Sequence, residues 1–138
     1  MKILTISVLI ILTLTLAACG GGEIEIAGPT WEWEAFQDTA GLNDVSVPNP
    51  ENYTLTLNED GTASIKADCN QVIWAYELDE SRLSFDITGP STLAMCPEGS
   101  FDQLFLERLG NTVSFVIEDG KLYLNLFADA GNLVFQSK

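Results

Sequence analysis

The chain has 138 residues, no histidine, three cysteines and a formal net charge of −14. That length suits one domain around one core. The charge argues against nucleic acid or anionic head groups as partners, since both would be repelled, and it permits a basic protein. Acidic turns that keep a small domain soluble are the plainer account of it.

Lys2 opens the chain, an apolar run follows from Ile3 to Leu16, and Leu16-Ala17-Ala18-Cys19 closes it. A positive start, an apolar stretch and small residues before a cut predict a secretory signal peptide over 1–18. The cysteine after two alanines makes it the lipoprotein kind, with the Cys19 thiol taking a diacylglyceryl group. As a membrane helix, residues 3–18 would rise only about 24 Å against a hydrocarbon core of about 30 Å. Thr5, Ser7, Thr13 and Thr15 weaken such a span further. Two or more acyl chains hold a protein stably, so the expected location is the cell envelope, lipid-anchored. Gly20, where an aspartate would argue for inner-membrane retention, favours the outer membrane in a cell with two membranes. In a cell with one, the outer face of the cell membrane is expected. Loss of Lys2 takes the mature charge to −15. Residues 19–27, with Gly20-Gly21-Gly22, read as the lipidated cysteine and a flexible tether, and 28–138 as the domain.

From Thr30 the punctuation is that of a β protein. Trp31, Trp33 and Ala35 alternate with Glu32 and Glu34, a strand with one polar face. Asn43–Asn52, with Pro48 and Pro50, reads as a loop. Tyr53, Leu55 and Leu57 alternate with threonines, Asn58-Glu59-Asp60-Gly61 supplies a hairpin turn, and Thr62–Ala67 returns. Gln71–Leu78 sets Val72, Trp74 and Tyr76 against Ile73 and Ala75. Asp79-Glu80-Ser81 then turns into Arg82–Ile87. The period changes at Ser100-Phe101-Asp102-Gln103, a capping box opening a helix with Phe101, Leu104, Phe105 and Leu109 in one stripe and Gly110 at its end. Val113–Ile117, Leu122–Leu126 and Leu133–Gln136 complete a meander, with turns at Glu118-Asp119-Gly120 and Asp129-Ala130-Gly131. The expected class is mainly β (α+β), about eight short antiparallel strands and one helix.

Cys19 assigned to lipid leaves Cys69 and Cys96 as an even pair in an oxidising compartment, which predicts a structural disulfide. Without histidine, two thiols make no zinc site, and the Ser-His-acid and Cys-His arrangements are excluded. Ser64 and Lys66 lie two apart on one strand, about 7 Å, which reads as its wet face. The acids Glu59, Asp60, Asp79, Glu80, Glu118, Asp119 and Asp129 fall in turns, where solvation explains them, and none forms a calcium-binding ladder. No catalytic residue, metal or cofactor is expected. Trp31, Trp33, Trp74 and Tyr76 would line a ligand or partner groove, or else fill the core.

Ala67-Asp68-Cys69-Asn70-Gln71, the downstream Tyr76, Ser91-Thr92-Leu93-Ala94-Met95-Cys96-Pro97 and the helix Phe101–Leu109 carry a resemblance. Together with Trp31, Asp60-Gly61 and Leu133–Phe135, they make the chain similar to the META domain family of HslJ-like bacterial envelope proteins. The likeness runs from about Gly28 to Gln136. It implies a curved, barrel-like antiparallel sheet packed on a helix, no enzyme, and no catalytic residues. Many members have glycine where Trp74 stands, so a close backbone approach is not expected there. The chain is thus expected to be a non-enzymatic interaction or stress-related module with an envelope protein partner. The alternatives are an inhibitor of a basic hydrolase such as lysozyme, or a binder of small hydrophobic ligands.

Overall fold

The computed structural model describes residues 25–138, so the expected signal peptide and the Cys19 anchor lie outside the described residues. Among the described residues, nine strands and one α-helix follow in order. They are β1 (Thr30–Asp38), β2 (Val45–Ser46), β3 (Tyr53–Leu57), β4 (Thr62–Ala67), β5 (Asn70–Asp79) and β6 (Arg82–Asp86). After them come α1 (Asp102–Gly110), β7 (Thr112–Glu118), β8 (Lys121–Leu126) and β9 (Gly131–Ser137). Each strand from β3 to β9 pairs with the next, and β1 pairs with both β3 and β9, so eight antiparallel strands close into a barrel. The two-residue β2 adds to β1 beyond β3, at Ala35–Phe36. Closure removes sheet edges and leaves an interior that side chains fill.

Period-two alternation decides what fills it. Leu55 and Leu57 of β3, Ala63 and Ile65 of β4, Leu122 and Leu124 of β8, and Leu133 and Phe135 of β9 are all buried. The alternation of β1 breaks once. Trp33 opposes Phe135 and Ala35 opposes Val134, so a bulge at Glu34 advances the register. Phe36, rather than Ala35, takes the next inward place. The segment expected to be loop, Asn43–Asn52, holds β2 and a 3-10 turn at Pro50–Asn52. Val47 of that segment is buried, its amide bonded to the Glu34 carbonyl.

The helix plugs one end of the barrel. Phe105 and Leu109 are fully buried, and the Phe105 ring stacks on Trp33 at 4.9 Å and meets Phe135 at 6.1 Å. The expected capping box does not form. Ser100 Oγ accepts from the Asp102 amide, not from Gln103, and Gln103 is exposed. The Tyr53 hydroxyl accepts from the Phe101 amide at 2.9 Å. A tertiary partner and the Ser100 hydroxyl thus cover donors at the helix start other than those of a capping box.

A close backbone approach does occur at Trp74, from the opposing segment. A Cβ on Gly89 would sit 2.0 Å from the Ile73 carbonyl oxygen and 3.2 Å from Trp74 Cα. Only glycine fits there, and the Trp74 ring packs inward against Phe85 at 6.1 Å.

Candidate functional site

Of the two readings of Trp31, Trp33, Trp74 and Tyr76, a groove or the core, the structure shows the core for the three tryptophans. Trp31 and Trp33 are 0% exposed and Trp74 6%, so all three are core. Their burial follows from barrel closure, which turns the apolar face of every strand inward. The indole N–H groups are satisfied internally, Trp31 by the Ile26 carbonyl at 2.9 Å and Trp33 by that of Ala35 at 2.7 Å. Tyr76 is half-buried and donates its hydroxyl to the Asn58 carbonyl, holding the β3–β4 turn.

The Cys69–Cys96 pair is bonded, with Cα atoms 5.5 Å apart. Beside it, Asn70 is 5% exposed and pins the segment 92–96 from within. Its Nδ2 donates to the Ala94 carbonyl at 3.0 Å and to Cys96 Sγ. Its Oδ1 accepts from the Ala94 amide at 2.8 Å and the Thr92 hydroxyl at 3.1 Å. The Cys-Asn motif is therefore a clasp. It leaves Leu93 and Met95 almost wholly in solvent, at 94% and 99% exposure. Ser64 and Lys66 do not pair with each other. Asn58 donates to Ser64 Oγ, and Lys66 Nζ donates to the Glu51 carbonyl and Asn52 Oδ1. Among the described residues no three carboxylates or thiols converge to hold a metal ion.

The concave feature lies at the barrel end away from the helix. A cavity of about 990 Å³ is lined by Ile26, Ala27, Leu78, Phe115 and Ile117, with Glu25, Glu59, Glu80 and Asp119 around them. The topology explains this rim. In an up-and-down barrel alternate turns fall at one end, so the β3–β4, β5–β6 and β7–β8 turns share it. The chain enters there too, since Thr30 at the start of β1 opposes Thr56 near the end of β3. Acids that each read as an isolated solvated turn thus gather at one mouth, and among the described residues every titratable group lining the cavity is a carboxylate. Of the cations toward this end, Arg82 pairs with Asp79 and Lys121 with Glu34, while Lys138 follows β9 beside Thr30 and does not line the cavity. The Glu34 hydrogen bond, then its charge, raises the Lys121 pKa above the ordinary lysine value.

One wall of the cavity is incomplete. The β6–β7 ladder has the single pair Arg82–Ser114, followed by a bond from the Phe115 amide to the Ser81 carbonyl. Val116–Glu118 run on past the β5–β6 hairpin, paired with β8 on one side and, among the described residues, with no strand on the other. Sequence reasoning missed this site. The hairpins at the other end carry acids as well, Asp68 and Asp129, so no local signal set these turns apart.

The fold defines the class, a small closed antiparallel β-barrel plugged by one helix and open at the other end. The META domain pattern matches residues 24–138, and the chain belongs to the META domain family. A protein from Burkholderia xenovorans, solved by NMR, is similar at 24% identity and a TM-score of 0.64, over 82% of this chain and 83% of that one. A DUF4847 family protein from Bacteroides vulgatus is similar at 15% identity and a TM-score of 0.58, over 80% of this chain and 93% of that one. At these identities the likeness is one of fold. No curated protein matches the sequence.

Proposed function

We propose that the protein is a non-enzymatic binding module held at the cell envelope by lipid on Cys19, with the mouth cavity as its binding site. The observation that carries this reading is the cavity itself. Its volume suits ligand recognition, its floor is apolar, and its polar groups stand at the rim. The chain has no histidine, and Ser64 and Lys66 are engaged elsewhere, which supports binding over catalysis. The signal-like segment before Cys19 supports lipid attachment.

Two measurements test it. In fractionated cells, Cys19→Ser should move the protein from the membrane to the soluble envelope fraction, and retention in the membrane refutes the anchor. The neutral fluorophore N-phenylnaphthylamine should brighten with the soluble domain and lose that signal on Ile117→Arg. Equal brightening with the variant refutes the cavity as the site. The carboxylate rim also favours a second reading, inhibition of a basic hydrolase such as lysozyme. That reading requires inhibition that fades steeply with salt.

A further inference from the structure

We infer that the mouth cavity takes an extended, basic segment of a protein partner, added as a short strand along the overhanging edge of β7. The inference rests on the cavity being the binding site, as proposed above. Three observations converge on one occupant. First, Val116–Glu118 pass the end of the β5–β6 hairpin with one edge unpaired by any strand among the described residues. Backbone groups alternate along a strand, so the Ile117 amide and carbonyl share the edge from which the Phe115 amide reaches Ser81. An edge of this kind is a template for strand addition. Second, Ile26, Leu78, Phe115 and Ile117 offer apolar surface to every second side chain of an added strand. Third, Glu25, Glu59, Glu80 and Asp119 surround that surface with no cation among the described lining residues, so the remaining side chains are selected for lysine or arginine.

The chain outside the described residues points the same way. Six links separate Cys19 from Glu25 on the rim, a reach of at most about 21 Å at roughly 3.5 Å per residue. An anchor at Cys19 holds the mouth that close to the bilayer, a gap that admits an extended segment more readily than a folded protein. A small amphiphilic cation would satisfy the floor and rim but would leave the β7 edge unused.

The test uses residues 20–138, which contain the whole closed barrel. The probe is a capped heptapeptide alternating lysine with leucine or valine. It is compared by calorimetry with its glutamate counterpart and with versions N-methylated at alternate residues on either edge. The lysine peptide should bind, with affinity falling as salt rises, and the glutamate peptide should not. N-methylation on one edge should weaken binding about tenfold or more, by removing the strand hydrogen bonds, while methylation on the other edge controls for its added bulk and backbone restriction. The combined variant Glu25→Gln, Glu59→Gln, Glu80→Gln, Asp119→Asn should also weaken it about tenfold, since exposed pairs contribute little singly. Equal binding by all N-methylated versions, or equal binding by dodecyltrimethylammonium that displaces the peptide, overturns strand addition. Equal binding by the glutamate peptide overturns the selection for basic segments. Binding of N-phenylnaphthylamine without the lysine peptide leaves the cavity standing and overturns this inference alone. If neither binds, the cavity reading falls with it.

Discussion

Replacing Asn70 with alanine tests whether the Cys-Asn motif is a clasp. The side chain is 5% exposed and makes three hydrogen bonds to oxygen or nitrogen partners on Thr92 and Ala94, and a weaker one to Cys96 Sγ. At about 1 kcal/mol net for each of the three, their loss amounts to about 3 kcal/mol. Thr92 and Ala94 are exposed and regain water when Asn70 is gone, so Asn70→Ala should cost about 2–3 kcal/mol. Urea unfolding monitored by tryptophan fluorescence reads this as a lower midpoint at unchanged slope. A loss under about 0.5 kcal/mol would refute the clasp. The disulfide holds the same segment. Its removal by Cys69→Ser with Cys96→Ser releases a closed loop, ends 27 positions apart, worth about 3.6 kcal/mol in the chain-entropy account. The two perturbations should therefore be non-additive, the combined loss falling short of the sum by at least about 0.5 kcal/mol. Strict additivity would mean that bond and side chain act on separate elements.

Three further expectations follow from other parts of the barrel. Gly89→Ala drives a methyl against the Ile73 carbonyl and the Trp74 backbone, so it should abolish the cooperative thermal transition or lower it sharply; a change within about 0.5 kcal/mol would refute the close approach. The Thr112 hydroxyl is buried without a hydrogen-bond partner among the described residues. Thr112→Val should therefore leave the melting temperature unchanged or raise it by a few degrees, whereas a clear drop would reveal a partner for the hydroxyl. Asp38, Asp60 and Asp86 have pKa values lowered by hydrogen bonds, Asp38 first by the Ala40 amide, Asp60 by Thr62 and Asp86 by Thr88. The stability they contribute is present above the ordinary aspartate pKa and lost as pH falls through the lowered values. Melting temperatures should decline over that acid window, and less so when Thr62 and Thr88 are both changed to valine.

Much of the barrel was legible because its signals are local. The Asp-Gly turn at Asp60-Gly61, the alternation of Leu55, Leu57 and Ile65, and the helical stripe ending at Leu109 each need only a few neighbours. What escaped depends on groups distant in sequence. The bulge at Glu34 is fixed by β9, a hundred residues away in the chain. The start of α1 is held in part by Tyr53, 48 positions away, through the Phe101 amide. Alternation says that Trp31 and Trp33 share a face, but only closure says that this face is the inside. The candidate site was hidden for the same reason. Glu59, Glu80 and Asp119 are unremarkable turn residues until three hairpins are brought to one end. The cysteine pair needed no geometry, because counting the thiols was enough.

The seam between β1 and β9 bears on how the domain comes into being. Trp31 pairs with Ser137, so the first long strand has its final neighbour only when nearly the last residue is available. Before that, β1 and β8 both present raw edges, and no smaller closed unit exists within the chain. Non-local closure of this kind is slow to form and cooperative once formed. A chain still emerging is thus held in an open state, and a chain cut short of β9 stays there, with Trp31, Trp33 and Phe36 uncovered. The last strand is thus what covers the apolar face of the first, and the barrel is complete only with both termini of the domain in place.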